Sequence, residues 1–496
     1  MNAIYDFLDN RLSPTLVRDI RQLVRNRFIT VMLNLYVLIL TLITLAAITM
    51  QSARTQLEGT GEWLYATDLI FFFIFTFIVV NLYTAVMMSQ ERITGDLMFT
   101  TTIPPSGFVF GKLSSALVLT GLLFCVTLPF ITIAYMLRGI DLQTILQTCF
   151  LAILMLGFSL SMTILVFSRV KTYVMMIGLM ILYAILCWTS VFSFVGFLLA
   201  YLGARFMILG TGPNLWQLAI GGVLVFLTSL VILSAAMSRV ASTNTNRIMP
   251  FRITYTVYML LTLGASFVIA AYSGYAGIPL DNLPLFMVFF HYGFFLLLIV
   301  ISTCGRDSWG LRLKRTIPKN LFLRCLLFPF YSGAINGFAW LLGIACVLIG
   351  CFFAAVHFSS SFMLTSFDDS RETLKYGFTW VVMAYAFCTL AMMIRIKFLK
   401  RHLTPENTWL LALAIFGAFY STYFTIRFLS MDERARYGFY LEADTIERTL
   451  FIACLWALLA TVFFVPWTVR QLPNFAPDDA NQKPDGNGAD ESEARV

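Results

Sequence analysis

The sequence is poor in charge. Asp, Glu, Lys and Arg make up 12% of its 496 residues, whereas hydrophobic side chains make up 59% and the mean hydropathy is +0.82. Soluble domains carry about twice that share of charged residues. A fold in water cannot hide this much apolar surface, so lipid has to be its solvent. The composition predicts an all-α polytopic membrane protein, because helices satisfy their backbone hydrogen bonds inside a bilayer.

Residues suited to metal or covalent chemistry are scarce. The three histidines, His291, His357 and His402, are far apart, and none of the nine cysteines belongs to a Cys-x-x-Cys pair. This pattern supports neither a metal site, a disulfide framework nor a catalytic triad. His291 lies within an apolar run, where an isolated histidine is more typical of a helix–helix hydrogen bond than of a proton relay. We expect a protein that is not an enzyme and holds no cofactor.

The sequence also lacks a nucleotide-binding loop. Gly107-x-x-x-Gly111-Lys112 has three residues between its glycines and continues with Leu113. A Walker A motif has four residues there and a Ser or Thr after the lysine. Most stretches between the apolar runs are too short for an ATPase domain. ATP used by this protein is therefore expected to be bound by a partner subunit.

Twelve apolar segments are long enough to cross a bilayer. The first, with 22 residues, reaches about 33 Å at about 1.5 Å per residue, against a hydrocarbon core of about 30 Å. The fifth is too long for one simple span, and we expect a helix followed by a re-entrant or interfacial hairpin. The predicted spans are 29–50, 69–88, 113–136, 143–168, 173–200, 214–238, 253–272, 285–304, 332–356, 376–394, 408–426 and 449–467.

The first 28 residues are charged and amphipathic. Ser13-Pro14 is typical of a helix start. Apolar side chains then recur on one helical face, and Arg18, Arg21 and Arg25 lie opposite. This pattern predicts an interfacial helix in the headgroup layer, which the adjoining span favours over a solvated helix packed on a partner. The apolar face comprises Leu16, Val17, Ile20, Leu23, Val24 and Phe28.

The basic residues are distributed asymmetrically about the spans. With the N-terminus inside, 25 of the 34 lysines and arginines fall in inner segments. This bias predicts a cytoplasmic N-terminus and, with twelve spans, a cytoplasmic C-terminus. The net charge of +8 is therefore assigned to membrane topology rather than to nucleic acid. Residues 473–496 are polar and acidic, and we expect a disordered cytoplasmic tail.

The loop over residues 89–112 has a distinctive pattern. It contains Glu91-Arg92, Gly95-Asp96, Thr102-Ile103-Pro104 and Gly111-Lys112 in that order. It resembles the first cytoplasmic loop of ABC-2 type exporter permeases, in which these features recur. The N-terminal helix, the six-span block and the outer hairpin resemble the same family.

The resemblance implies that this loop is a coupling helix that docks on a separate ABC ATPase subunit in a bacterial plasma membrane. The residues that it assigns to coupling are Glu91, Arg92, Gly95, Asp96, Pro104 and Lys112. Glu91 and Arg92 would pair with the ATPase, and Gly95 would allow close approach. The alternative is that Glu91 and Arg92 solvate the loop and pair with each other.

The second half of the chain echoes the first. Arg306-Asp307-x-x-Gly310 and Thr316-Ile317-Pro318 repeat the pattern of the first loop. Six spans is an even number, so two blocks at 29–240 and 250–470 would form a parallel repeat. The echo predicts a second coupling loop at Arg306, Asp307, Gly310 and Pro318. Its more basic character leaves a second reading open, the binding of anionic lipid headgroups.

These observations predict the permease subunit of an ATP-driven exporter with membrane lipids around it. As drawn, no span has Asp, Glu, Lys or Arg in its middle, whereas proton-driven carriers usually place ionisable residues there. A secondary carrier or flippase, and a non-transporting membrane scaffold, remain the alternatives. Whether one chain forms the whole pathway or pairs with a second permease chain stays open, as does the cargo.

Overall fold

The computed structural model describes residues 14–53, 60–93, 104–137, 140–168, 215–241, 246–276, 283–303 and 311–359, together with parts of 170–181 and 382–475. The regular structure of these residues is helical, without a β-strand. The protein is an all-α polytopic membrane protein. Backbone contacts divide the chain into two units, Met1–Ser242 and Thr243–Val496.

Seven helices among the described residues are long and apolar enough to cross a membrane. They coincide with the predicted spans one to four, six, seven and nine, and shorter apolar helices over Leu283–Phe295 and Tyr385–Arg395 lie at the eighth and tenth. Most of the predicted fifth, eleventh and twelfth spans lies outside the described residues. Twelve spans therefore stay a prediction. The seven are Arg27–Thr49, Gly61–Glu91, Pro105–Met136, Leu142–Phe167, Ala219–Val240, Met249–Tyr272 and Ile335–Phe352.

The first unit is built around its third helix. The helices in order are α1 (Pro14–Arg25), α2 (Arg27–Ala53), α3 (Thr60–Ile93), α4 (Pro105–Met136), α5 (Leu142–Phe167) and α6 (Leu215–Val240). Helix α3 packs against α2, α4 and α5. Aromatic rings fill these contacts: Tyr36 of α2 stacks on Phe71, and Phe72 meets Phe124 of α4 edge to face.

Polar side chains join α3 to α5 inside the apolar core. Asn81 donates to Ser159 Oγ at 3.1 Å and accepts from Thr163 Oγ1 at 2.6 Å. Both partners lie on α5, so this buried amide links two helices. Asn81 therefore bonds α3 to α5 within the core.

Helix α3 starts before its predicted span and includes a buried acidic residue. Hydropathy placed this span from residue 69, whereas the helix begins at Thr60 and includes Asp68. The Asp68 side chain is fully buried, and neither carboxylate oxygen has a hydrogen-bond partner in the described part of the chain. Leu64 and Phe72, four residues before and after it on this face of the helix, are buried as well. The first unit thus encloses an ionisable side chain within a candidate span, which the predicted boundary had excluded.

The second unit begins with two packed helices and a structured connection. Its elements in order are α7 (Met249–Ala276), α8 (Leu283–Thr303), α9 (Leu311–Lys314), α10 (Leu321–Leu327), a 3-10 helix (Phe328–Phe330) and α11 (Ala334–Ser359). Helix α8 packs on both α7 and α11. His291 of α8 is buried, with Nε2 at 2.7 Å from Thr262 Oγ1 and Nδ1 at 3.4 Å from Tyr255 Oη, both on α7. The predicted helix–helix hydrogen bond of His291 is confirmed.

Phe475 is the residue within 473–496 that the structure describes. Phe475 is fully buried, and its ring meets Phe328 and Tyr331 edge to face at centroid distances of 5.3 and 4.9 Å. Phe475 falls within 473–496, the segment predicted to be a disordered tail. The remainder of that segment lies outside the described residues.

Candidate functional site

Four charged side chains meet where α1 and the ends of α3 and α4 come together. Arg18 and Asp19 lie on α1, Glu91 lies in the last turn of α3, and Lys112 lies on α4. We call this group the charge cluster. It joins the two sides of the predicted coupling loop to each other and to the N-terminal helix.

Lys112 is the centre of the charge cluster. Its Nζ donates to Asp19 Oδ2 at 2.7 Å and to Glu91 Oε1 at 2.8 Å. The Arg18 guanidinium also donates to Glu91 and, at 3.2 Å, to Asp19 Oδ1. Both carboxylates therefore bind both cations, and the four formal charges cancel.

Burial makes these contacts structurally important. The side chains of Lys112 and Asp19 are each 2% exposed, against 22% for Glu91 and 51% for Arg18. Removing an ion from water costs several kcal/mol, which only close partners offset. The Phe108 ring centroid lies 5.9 Å from Lys112 Nζ and adds a cation–π contact. Burying the Lys112 ammonium this deeply is favourable only while both acids are present.

Local sequence explains how Lys112 reaches this position. Pro104 is the N-cap of α4, with φ −67° and ψ 149°, and Pro105 is its first residue. Proline is favoured at that place because its missing N–H would have no helical partner. The helix therefore starts eight residues before the predicted span at 113, and Lys112 lies two turns inside it. Helix α1 packs directly on α4, which brings Asp19 to the lysine.

The remaining predicted coupling residues are placed unevenly. Arg92 lies in the last turn of α3, but its side chain is outside the described part of the structure. Gly95 and Asp96 also lie outside the described residues. In the second loop, Pro318 is described and partly buried, whereas Arg306, Asp307 and Gly310 are not described. Of the predicted residues, the structure brings together Glu91 and Lys112.

Sequence reasoning missed Arg18 and Asp19 as site residues. Asp19 is buried on the same side of α1 as Leu23, four residues later, although its neighbours on the polar face are arginines. A single acid in an otherwise basic amphipathic helix was the available signal. Its meaning required knowing that a buried lysine on α4 lies opposite.

The charge cluster closes a loop. Glu91 and Lys112 are 21 residues apart in the chain, yet their charged atoms lie 2.8 Å apart. The intervening segment is therefore tied at both ends, and α1 is tied to the same point through Asp19. A displacement of the two ends of that segment relative to each other has to move α1, α3 and α4 together or break these ion pairs.

Comparisons of the chain with protein-family models, with curated proteins and with solved structures find no match in any of the three.

Proposed function

We propose that this chain is the permease subunit of an ATP-driven ABC-2 type exporter, in which a separate ATPase subunit acts on its predicted cytoplasmic loops. The observation that carries the proposal is the buried lysine bridge of the charge cluster. Lys112 holds Asp19 of α1 and Glu91 of α3 at hydrogen-bonding distance. The bridge lies beside the loop whose residue pattern resembles an ATPase-docking loop.

The cluster would serve such an exporter as a rigid joint. A docked ATPase that changes shape on binding ATP would displace the tied loop. Because the ion pairs are buried, they resist separation far more than exposed pairs do. The displacement would then pass to α3 and α4, which line the centre of the first unit. The ATPase must bind the two transporter conformations with different affinities, since only that difference shifts their populations.

On the basis of these contacts we assign the loop residues two different roles. Glu91 Oε1 accepts hydrogen bonds from Lys112 and Arg18, so we assign Glu91 to positioning the loop. Arg92, Gly95 and Asp96 lie further into the loop, and we assign the direct contact with the ATPase to them.

Co-purification in mild detergent tests this assignment. Native membranes would be solubilised, the tagged chain isolated, and the bound material assayed for ATP hydrolysis and for labelling by a photoreactive ATP analogue. We expect ATPase with the wild type and a severalfold loss with Glu91→Lys. We expect a similar loss with Arg92→Glu/Asp96→Lys, which reverses charge at the proposed contact.

Thermal stability separates the two roles. Glu91→Lys places a second cation beside Lys112, so it should lower the melting temperature of the purified chain. Arg92→Glu/Asp96→Lys should leave the melting temperature unchanged. Arg138→Glu, at a predicted outer position, is the matched control and should retain the ATPase. Absence of ATPase from the wild type, in membranes that express one, would contradict the proposed function.

A secondary carrier is the second candidate, and Asp68 is the observation that favours it. A fully buried carboxyl without a hydrogen-bond partner among the described residues is the kind of group that cation-coupled carriers place within their spans. In that case no ATPase would co-purify. Asp68→Asn would then abolish transport while leaving the chain folded, whereas an ATP-driven exporter would tolerate it.

A further inference from the structure

The connection between α8 and α11 in the second unit has an unusual charge. Between Asp307 and Asp368 the sequence contains no acidic residue. The same stretch begins with a run of cations within 13 residues, namely Arg312, Lys314, Arg315, Lys319 and Arg324. Such a segment attracts anions and lacks internal acids to neutralise it.

Helix α10 exposes apolar side chains within this basic segment. None of its seven residues is buried. Leu321, Phe322 and Leu326 are 69%, 74% and 58% exposed. With the 3-10 helix that follows, the apolar stretch Leu321–Phe330 is about 15 Å long at about 1.5 Å per residue, half of what a span needs. It is too short to cross a bilayer and too apolar to face only water.

This exposure is built into a well-packed segment. Asn320 caps α10 by accepting from Phe322 N–H at 3.3 Å, and the Arg324 guanidinium donates to the carbonyls of Pro318 and Lys319 at 3.5 and 3.3 Å. Tyr331 Oη donates to Thr316 O at 2.7 Å. Beneath the segment lies a buried apolar cluster formed by Leu313, Ile317, Phe328, Tyr331, Ile335 and Phe475. Leu321, Phe322 and Leu326 therefore stay exposed, although Leu327 of the same helix packs against this core.

The position of the segment indicates what it binds. Candidate span Ile335–Phe352 begins eight residues after α10 ends, so the bilayer surface has to lie close by. Apolar side chains with cations beside them suit the headgroup layer. There the apolar side chains are buried at the boundary with the acyl chains, and the cations contact the lipid phosphates. We propose that residues 311–330, which we call the basic platform, bind anionic phospholipid headgroups at the membrane surface. This inference does not depend on the proposed exporter function, and it distinguishes the platform from an ATPase-docking loop.

Lipid retention measures this binding. The purified full-length protein would be equilibrated with micelles containing phosphatidylcholine and phosphatidylglycerol, and the retained lipids identified by native mass spectrometry. The test variant is Lys314→Gln/Arg315→Gln/Lys319→Gln. At about a fivefold contribution per cation, phosphatidylglycerol affinity should fall on the order of a hundredfold, whereas retention of neutral phosphatidylcholine should not change.

A matched control separates local binding from net charge. Arg427→Gln/Arg434→Gln/Arg436→Gln removes the same charge from a predicted outer segment and should retain phosphatidylglycerol like the wild type. Added salt should weaken the wild-type binding, because exposed cations are screened. Equal phosphatidylglycerol retention by the test variant and the wild type would overturn the proposal. Loss of a bound ATPase with unchanged lipid retention would also overturn it, and would assign the platform to docking.

Discussion

Three buried charged side chains, Lys112, Asp68 and Arg252, have entirely different partners. Lys112 binds two carboxylates, Arg252 binds backbone carbonyls, and Asp68 binds no hydrogen-bonding group among the described residues. The energetic effect of a buried charge depends on those partners more than on burial itself. Substitutions at the three positions should therefore change the free energy of unfolding by amounts that differ in sign as well as in size.

At Lys112 we expect a large loss of stability on replacement by methionine. Lys112→Met keeps the length of the side chain but leaves the buried Asp19 and the partly buried Glu91 next to each other without the lysine. Breaking a buried ion pair in this way costs about 3–5 kcal/mol. The loss would be measured as the unfolding free energy or melting temperature in mild detergent.

A variant in which only the exposed Arg18 keeps its charge provides the control for Lys112. Asp19→Asn/Glu91→Gln/Lys112→Met removes all three charges with similar shapes, and it should recover most of the stability that the single variant loses. If the triple variant were as unstable as Lys112→Met alone, packing rather than charge would explain the loss.

At Asp68 we expect substitution by an apolar residue to raise the stability of the fold. Asp68→Leu replaces an unpartnered polar group by an apolar one in a core of Leu, Phe and Tyr side chains. Burial of a polar group without a partner costs about 1–3 kcal/mol in mutational data, so the variant should unfold at a higher temperature. Asn81→Leu is the contrasting control, because Asn81 is fully bonded, and it should unfold at a lower temperature. A destabilised Asp68→Leu variant would show that the carboxyl has a favourable role in the folded state.

At the scale of elements, each unit holds the connection between its second and third predicted spans with a buried cation, by different means. In the first unit the cation is Lys112 on α4. In the second unit it is Arg252, near the start of α7, whose Nη1 donates to the carbonyls of Pro329 and Tyr331 at 2.7 and 2.6 Å. Its Nη2 reaches Gly333 O at 3.4 Å, and Gly333 has φ 151°, a conformation that favours glycine. The guanidinium also lies 5.6 Å from the centre of the Trp340 ring.

Arg252 should therefore control the order of the chain between α10 and α11. Lysine keeps the charge but cannot reproduce the planar fork that reaches several carbonyls. We expect Arg252→Lys to speed hydrogen–deuterium exchange of residues 328–337 severalfold, with the helices of the first unit unchanged. Arg315→Lys, the same substitution at an exposed residue, is the control. Unchanged exchange in Arg252→Lys would mean that the apolar cluster alone orders this segment.

Element boundaries show what hydropathy can and cannot predict. The existence of the first four spans follows from their apolar runs, and the structure contains helices at those places. Their ends extend beyond the runs, because α3 continues over Asp68 and Glu91, and α4 begins at Pro105. A window of apolar residues stops at the first charge. A helix, in contrast, continues past a charged residue as long as its backbone hydrogen bonds can form.

The same limit applies to the site. The loop motif identified Glu91 and Lys112, which the structure brings together, because the two residues flank a recognisable pattern. Asp19 could not be predicted, since its burial depends on α1 packing on α4, a contact between helices that are far apart in the chain. Periodicity reports the face of one helix and carries no information about the helix opposite.

At the scale of the whole molecule, the parity of the spans decides whether one ATPase can reach both loops. Six spans per block, as predicted, would place the loops at 94–103 and 304–310 on the same side, which the charge bias predicts to be cytoplasmic. An odd number of spans between them would place the loops on opposite sides of the membrane, where no single partner could bind both.

Cysteine labelling of intact spheroplasts measures this parity. In a cysteine-free background, a membrane-impermeant maleimide should not label Gly95→Cys or Gly310→Cys until the membrane is permeabilised. It should label Gly139→Cys and Ser370→Cys at once, because the positive-inside bias places those positions outside. Labelling of Gly95→Cys but not of Gly310→Cys in intact spheroplasts, or the reverse, would rule out a parallel repeat and with it a second coupling loop. Labelling of both would keep the repeat but reverse the orientation, and a cytoplasmic ATPase could then reach neither loop.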